Sequence, residues 1–208
     1  LLLTSCADTS KLKPAPVAEQ GVLDLSNWDF EKEGVVRLNG EWEFYWQRLL
    51  APNELLSSNT GKEQKFINLP SSWNGYQVND EVLSGDGYAT YYLRIIGNEG
   101  NKKLMFKTSW MGTSYNLFVN GDLIASNGVV ARTREEMTPQ YFPLTTSYYS
   151  NTESLDIVLQ VANFHHREGG AWYPIEMGLE KQITKIRESN LSINLFLCGG
   201  IFIMGIYY

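Results

Sequence analysis

The chain has 208 residues, 43% of them hydrophobic and 13% aromatic, with a formal net charge of −6 at pH 7. Such a chain holds one domain with extensions and an ample core, and its negative charge argues against a nucleic-acid partner, whose phosphates call for the opposite sign. The two cysteines, Cys6 and Cys198, lie in apolar end segments and leave neither a disulfide framework nor a cysteine-based metal site.

Leu1 to Cys6 reads as the end of an export signal. Leu3-Thr4-Ser5-Cys6 fits the bacterial lipobox, in which Cys6 is lipidated and becomes the mature N-terminus; an ordinary signal-peptide end with a small-residue cleavage site fits equally. Either places the globular part of the chain outside the cytoplasm. Asp8 to Gln20 is rich in Lys, Pro, Ala, Ser and Thr, so residues 1–20 read as leader and flexible tether.

Globular character spans residues 21–178. Val22 to Leu25 is a short strand, followed by a turn through Trp28. Val35 to Trp46 alternates, with Leu38, Trp42, Phe44 and Trp46 on one face. Leu49 to Ser58 is a short helix or loop. Phe66 to Leu69 leads through Pro70 into a turn at Ser71 to Gly75, and Tyr88 to Ile95 is a β-rich strand. Lys102 to Ser109 reads as a strand feeding the hairpin Asn116 to Asn127. Asn120-Gly121 sits between the alternating runs of that hairpin, the residue pair a type I′ turn demands. Arg132 to Gln140 is a charged excursion. Tyr141 to Leu144 and Ser154 to Ala162 restore β character, Leu155 to Ala162 as a central return strand, and Tyr173 to Gly178 is the last strand. Roughly eight short strands with turn signals and no βαβ rhythm predict an all-β chain, a jelly-roll β-sandwich.

Period then changes. Residues 179–192 carry Ile183, Ile186 and Leu191 at helical spacing between charges, which predicts a juxtamembrane helix. Residues 193–208 are almost wholly apolar and uncharged, slightly short of the roughly 18–20 residues that cross a bilayer. They read as the start of a transmembrane helix; a buried C-terminal helix or strand is the alternative.

Leu38-Asn39-Gly40-Glu41-Trp42, Leu69-Pro70-Ser71-Ser72-Trp73, the tyrosine-rich strand Gly87 to Arg94, Val119-Asn120-Gly121 and Val161-Ala162-Asn163 together resemble the sugar-binding, galactose-binding-like jelly-roll domain of family 2 glycoside hydrolases. The same order, followed by Gly169-Gly170 and the apolar run Phe196 to Tyr208, is similar to bacterial seven-transmembrane receptors with diverse intracellular signalling modules, whose extracytoplasmic jelly roll precedes the first membrane helix. The resemblance covers Gly21 to the end. It implies an inner-membrane sensor whose domain faces the periplasm or exterior, binds carbohydrate-like compounds and drives a diguanylate cyclase, histidine kinase, nucleotide cyclase or phosphatase module.

The loop Asn163 to Trp172 gathers an amide, two imidazoles, a guanidinium, a carboxylate, two glycines and an indole. Indoles stack on sugar rings while Asn and Arg satisfy hydroxyls, so Asn163, His165, His166, Arg167 and Trp172 are the leading ligand candidates. The bland reading is that Asn163 and the glycines shape a turn and Trp172 fills the core. Trp73 and Trp110, beside turn-forming residues, are candidate platforms or core, and Arg132 is a rim cation or part of a solvated cluster. His165 and His166 are adjacent and so point to opposite faces of a strand; no metal and no cofactor are expected, although imidazole titration suits a pH sensor. No hydrolase, phosphate-loop or dinucleotide motif occurs, and Glu135-Glu136 are adjacent rather than spaced across a cleft, so the chain is not expected to be an enzyme. The leading expectation is a membrane receptor's sensor domain. The alternatives are a lipid-anchored carbohydrate-binding module or non-catalytic piece of a glycoside hydrolase, and a structural sandwich that forms a homodimer through an aromatic patch.

Overall fold

The structure, a computed structural model, describes residues 13–57, 65–97 and 100–207. In chain order its elements are β1 (Val22–Asp24), α1 (Phe30–Glu33), β2 (Val36–Arg37), β3 (Gly40–Trp46), α2 (Pro52–Ser57), β4 (Phe66–Leu69), β5 (Ser71–Ser72), β6 (Gln77–Val78), β7 (Glu81–Val82), β8 (Gly87–Ile96) and β9 (Lys102–Thr108). There follow β10 (Ser114–Val119), β11 (Asp122–Asn127), β12 (Leu144–Ser150), β13 (Leu155–Asn163), β14 (Gly170–Ala171), β15 (Glu176–Leu179) and α3 (Glu180–Tyr207). The lipobox-like segment with Cys6 lies outside the described residues.

Two sheets form the sandwich. The larger runs β11-β10-β13-β8-β3-β4, with β1 pairing parallel to β8; the smaller runs β12-β9-β15-β2. The jelly-roll expectation holds, and β13 is the central return strand, paired on one side with β10 and on the other with β8. One placement differs from the sequence reading. β9 does not feed the hairpin within one sheet but crosses to the smaller sheet, where it lies between β12 and β15. Alternation identifies a strand's faces, whereas sheet membership is set by pairing with residues far away in sequence.

The turn chemistry acts as its residues dictate. Asn120 and Gly121 both have positive φ, 49° and 93°, the backbone that a type I′ hairpin requires. Asn120 also ties the hairpin to β13: its Oδ1 accepts the Asp156 N–H at 2.7 Å and its own N–H donates to the Asp156 carbonyl at 2.9 Å. The core lies between the sheets, built on Trp42, Trp73, Tyr91, Tyr115, Phe106, Leu93 and Leu104, all fully buried. Each such aliphatic or Phe side chain contributes on the order of 1.5–3 kcal/mol by leaving water. Ala18 belongs to this core and its N–H donates to the Asn39 carbonyl at 2.8 Å, so the sandwich already includes residues before 21.

The last strand and the last helix are continuous. β15 ends at Leu179 and α3 begins at Glu180 and runs unbroken for 28 residues, so the two C-terminal segments read from the sequence are one helix. The Gln182 Oε1 accepts the Leu179 N–H at 3.1 Å, one half of a capping box. Ile183 is fully buried, Gln182 Nε2 donates to the Phe30 carbonyl, and Lys181 pairs with Glu31. Beyond this docked turn the helix passes the edge of the smaller sheet, where Arg187, Leu191 and Asn194 share a cleft with Lys107 and Pro143, and Leu191, Ile193, Leu195 to Leu197 and Ile201 to Met204 are exposed. By length and composition α3 is long and apolar enough to cross a membrane: its uncharged stretch, residues 189–207, spans about 28 Å against a hydrocarbon core of about 30 Å.

Candidate functional site

Two asparagines organise the loop between β13 and β14. Asn163 is fully buried, and its Nδ2 donates to the carbonyls of Gly85 (2.8 Å), His166 (2.6 Å) and Glu168 (3.2 Å) while its Oδ1 accepts the His166 N–H at 3.1 Å. From the other side Asn74 Nδ2 donates to the Arg167 carbonyl at 2.9 Å and Asn74 Oδ1 accepts the Gly169 N–H at 3.0 Å. Gly169 lies so close to Trp73 that a Cβ there would fall 2.2 Å from its ring. The loop is therefore a fastened structure whose backbone polar groups are largely satisfied from within.

This geometry sorts the candidates. Asn163 is a structural hub with its amide engaged by backbone groups. Of the two readings of Trp73, core and platform, its place in the structure is core: it is fully buried and its Nε1 donates to the Gly85 carbonyl at 3.2 Å. His165 is exposed with its Nδ1 3.2 Å from the Met137 sulfur. Arg167 is exposed and pairs loosely with Glu168 at 3.6 Å. Arg132 is exposed on the 128–140 excursion and makes no ion pair among the described residues, while Arg134 pairs with Asp86 at 3.0 Å.

The remaining candidates come together. Trp110 packs edge-on to Trp172 at 6.3 Å between ring centroids and to Tyr141 at 6.0 Å, and lies over Tyr173 at 5.5 Å, tilted by 31°. His166 lies 4.9 Å from the Trp172 ring. Trp110, Tyr141 and Tyr173 are each 40–45% exposed and neighbouring Phe142 is 59% exposed, so this is an aromatic surface open to solvent, not core. Gly112 makes it possible: a Cβ there would fall 2.5 Å from the Trp172 ring. The sequence reading missed Tyr141 and Tyr173. For Tyr173 the available signal was an aromatic directly before proline, Tyr173-Pro174, since a residue before proline is held extended and pulled out of a regular ladder; Tyr141, one residue further from Pro143, carried no such signal.

Beside this surface the smaller sheet carries an ionic row. Register places Lys107 on β9 opposite Glu176 on β15, and Glu176 opposite Arg37 on β2. Glu176, mostly buried, accepts from Lys107 Nζ at 2.6 Å and from Arg37 Nε at 3.4 Å. Tyr173, Pro143 and this row enclose an open cleft of about 360 Å³. Among the described residues no group of His, Cys, Asp and Glu is arranged to hold a metal ion.

The fold recurs in β-glucuronidases. The chain superposes on the enzyme from an uncultured Clostridium sp. with a TM-score of 0.51 and 13% identity, over 69% of this chain and 28% of that one. For the Faecalibacterium prausnitzii β-glucuronidase the TM-score is 0.50 at 10% identity, over 69% and 31% of the two chains. For the Ruminococcus gnavus enzyme it is 0.50 at 12%, over 69% and 27%. The chain thus spans less than a third of the length of each, and at these identities the likeness is one of fold. No protein-family model matches the chain, and no curated protein matches it.

Proposed function

We propose that this chain is the extracytoplasmic ligand-sensing domain of a bacterial membrane signalling receptor. It binds a carbohydrate-like ligand at the Trp110–Tyr141–Trp172–Tyr173 surface and passes the event through α3 to an intracellular module. The observation that carries the reading is the direct run of β15 into α3. One end of that helix is bolted to the sandwich through Ile183 and Gln182, and its other end is a bare apolar rod. A ligand that favours one setting of β15 over another thereby favours one setting of the rod. Open aromatic faces flanked by His166 and by polar loop groups suit the apolar face and hydroxyls of a sugar ring.

The test titrates a broad panel of mono- and oligosaccharides against the full chain in lipid nanodiscs, following tryptophan fluorescence. An aromatic contact of this kind contributes about 0.5–1.5 kcal/mol beyond burial, so Trp110→Ala and Tyr173→Ala should each weaken a responding sugar roughly two- to tenfold. A folded protein silent to the whole panel would refute the sugar reading. The recurrence of the fold in β-glucuronidases favours a second reading, a carbohydrate-binding module or non-catalytic domain of a glycoside hydrolase. That reading expects the residues encoded after Tyr208 to form a soluble catalytic barrel instead of further membrane helices.

A further inference from the structure

The ionic row on the smaller sheet has more positive charge than it uses internally. Glu176 occupies one N–H of Arg37 and one of Lys107; the guanidinium keeps four further donors and the ammonium two. Both cations line the cleft beside Tyr173. A second cleft, of about 430 Å³, shares Lys107 and Pro143 with the first and is closed on its far side by Arg187, Leu191 and Asn194 of α3. The two clefts therefore form one groove that starts at the aromatic surface and ends against the helix. Along it lie three cations and one carboxylate.

The geometry points to an oxyanion-binding site in this groove, centred on Lys107 and Arg37 and reaching Arg187. Its ligand carries a carboxylate or phosphate that takes up the donors Glu176 leaves free, in charge-assisted hydrogen bonds. Because Arg187 belongs to α3 and Lys107 to β9, an anion held by both links the sandwich to the helix directly, without acting through the loop at Asn163. The site rests on sheet register and cleft lining and stands whether or not the aromatic surface binds neutral sugars. A sugar acid and the headgroup of an anionic phospholipid both supply such an oxyanion.

The experiment uses the full chain and isothermal titration. In phosphatidylcholine nanodiscs, D-glucuronate is compared with D-glucose, and inorganic phosphate serves as the bare anion. In a second arm phosphatidylglycerol nanodiscs replace phosphatidylcholine, with thermal stability as the readout. Lys107→Gln and Arg37→Gln each leave Glu176 one partner, and each should weaken glucuronate or phosphate about tenfold while leaving D-glucose unchanged. Glu176→Gln removes the competing carboxylate and should tighten the same anions severalfold, a gain that a purely structural ion cluster would not give. Glucuronate or phosphate binding identifies a soluble ligand; stabilisation by phosphatidylglycerol alone, lost in Lys107→Gln, identifies the lipid. The proposal is overturned if glucuronate binds no better than glucose and phosphatidylglycerol stabilises no more than phosphatidylcholine, or if the three variants leave anion binding unchanged.

Discussion

Replacing Asn163 with alanine tests whether the β13–β14 loop is fastened by one side chain. The substitution strips the His166 carbonyl and the His166 N–H of their side-chain partner and takes one of two from the Glu168 carbonyl, which also lies 3.0 Å from His166 Nδ1. The Gly85 carbonyl loses one donor but keeps the Trp73 indole at 3.2 Å. With a net value of about 1 kcal/mol per bond, two to three effective losses give about 2–3 kcal/mol. For a protein of this size that is a fall in Tm of roughly 5–10 °C. Urea unfolding of the full chain in nanodiscs, followed by tryptophan fluorescence, measures it. Asn163→Asp serves as a comparison: it supplies no donor and faces three carbonyl oxygens with a charge, so at neutral pH it should lose at least as much. A stability for Asn163→Ala within about 0.5 kcal/mol of the parent would show that Asn74 and the glycines hold the loop unaided, and the hub argument would fail.

Other expectations concern buried groups. The Tyr91 hydroxyl is fully buried and finds no hydrogen-bond partner among the described residues, so Tyr91→Phe should leave stability unchanged or raise it by up to about 1 kcal/mol, as judged by the urea midpoint. Burial raises the phenol pKa of Tyr91, Tyr92 and Tyr115 above the ordinary 10.0, for Tyr92 with help from the neighbouring Asp156 carboxylate. Above about pH 10 the unfolded chain therefore holds fewer protons than the folded one, so stability should be independent of these groups at neutral pH and fall steeply above that value; a urea midpoint flat from pH 8 to 11 contradicts this. Ile183→Ala removes the buried anchor of α3 and should cost about 2–4 kcal/mol of local stability. Hydrogen exchange would show it as faster exchange over residues 180–186 with β8 and β13 unchanged.

Where a feature is local, the sequence reveals it. Asn120-Gly121 specifies its own turn, and Ile183 announces its buried face through helical spacing. Trp73 and Trp110 show where local reading stops. Both sit beside turn-forming residues, yet one is sealed in the core and the other lies open, because burial depends on what the opposite sheet and the Gly85 and Gly169 backbone bring over each ring. Asn163 was legible as either a contact or a turn shaper, and its shaping role rests on three carbonyl partners spread from Gly85 to Glu168, two of them within three to five residues and one far away in sequence. The row Lys107–Glu176–Arg37 had no local signal at all. Its members come from three strands, and only their register places them side by side.

The absence of any linker between Leu179 and Glu180 fixes an angular phase. One residue inserted there would turn every later side chain of the helix by about 100° and advance it by about 1.5 Å. Arg187 would swing away from the groove, and a different stripe of the rod would face its surroundings. The length of that junction is thus a gear setting, tolerant of substitution on its exposed positions and intolerant of a change in count.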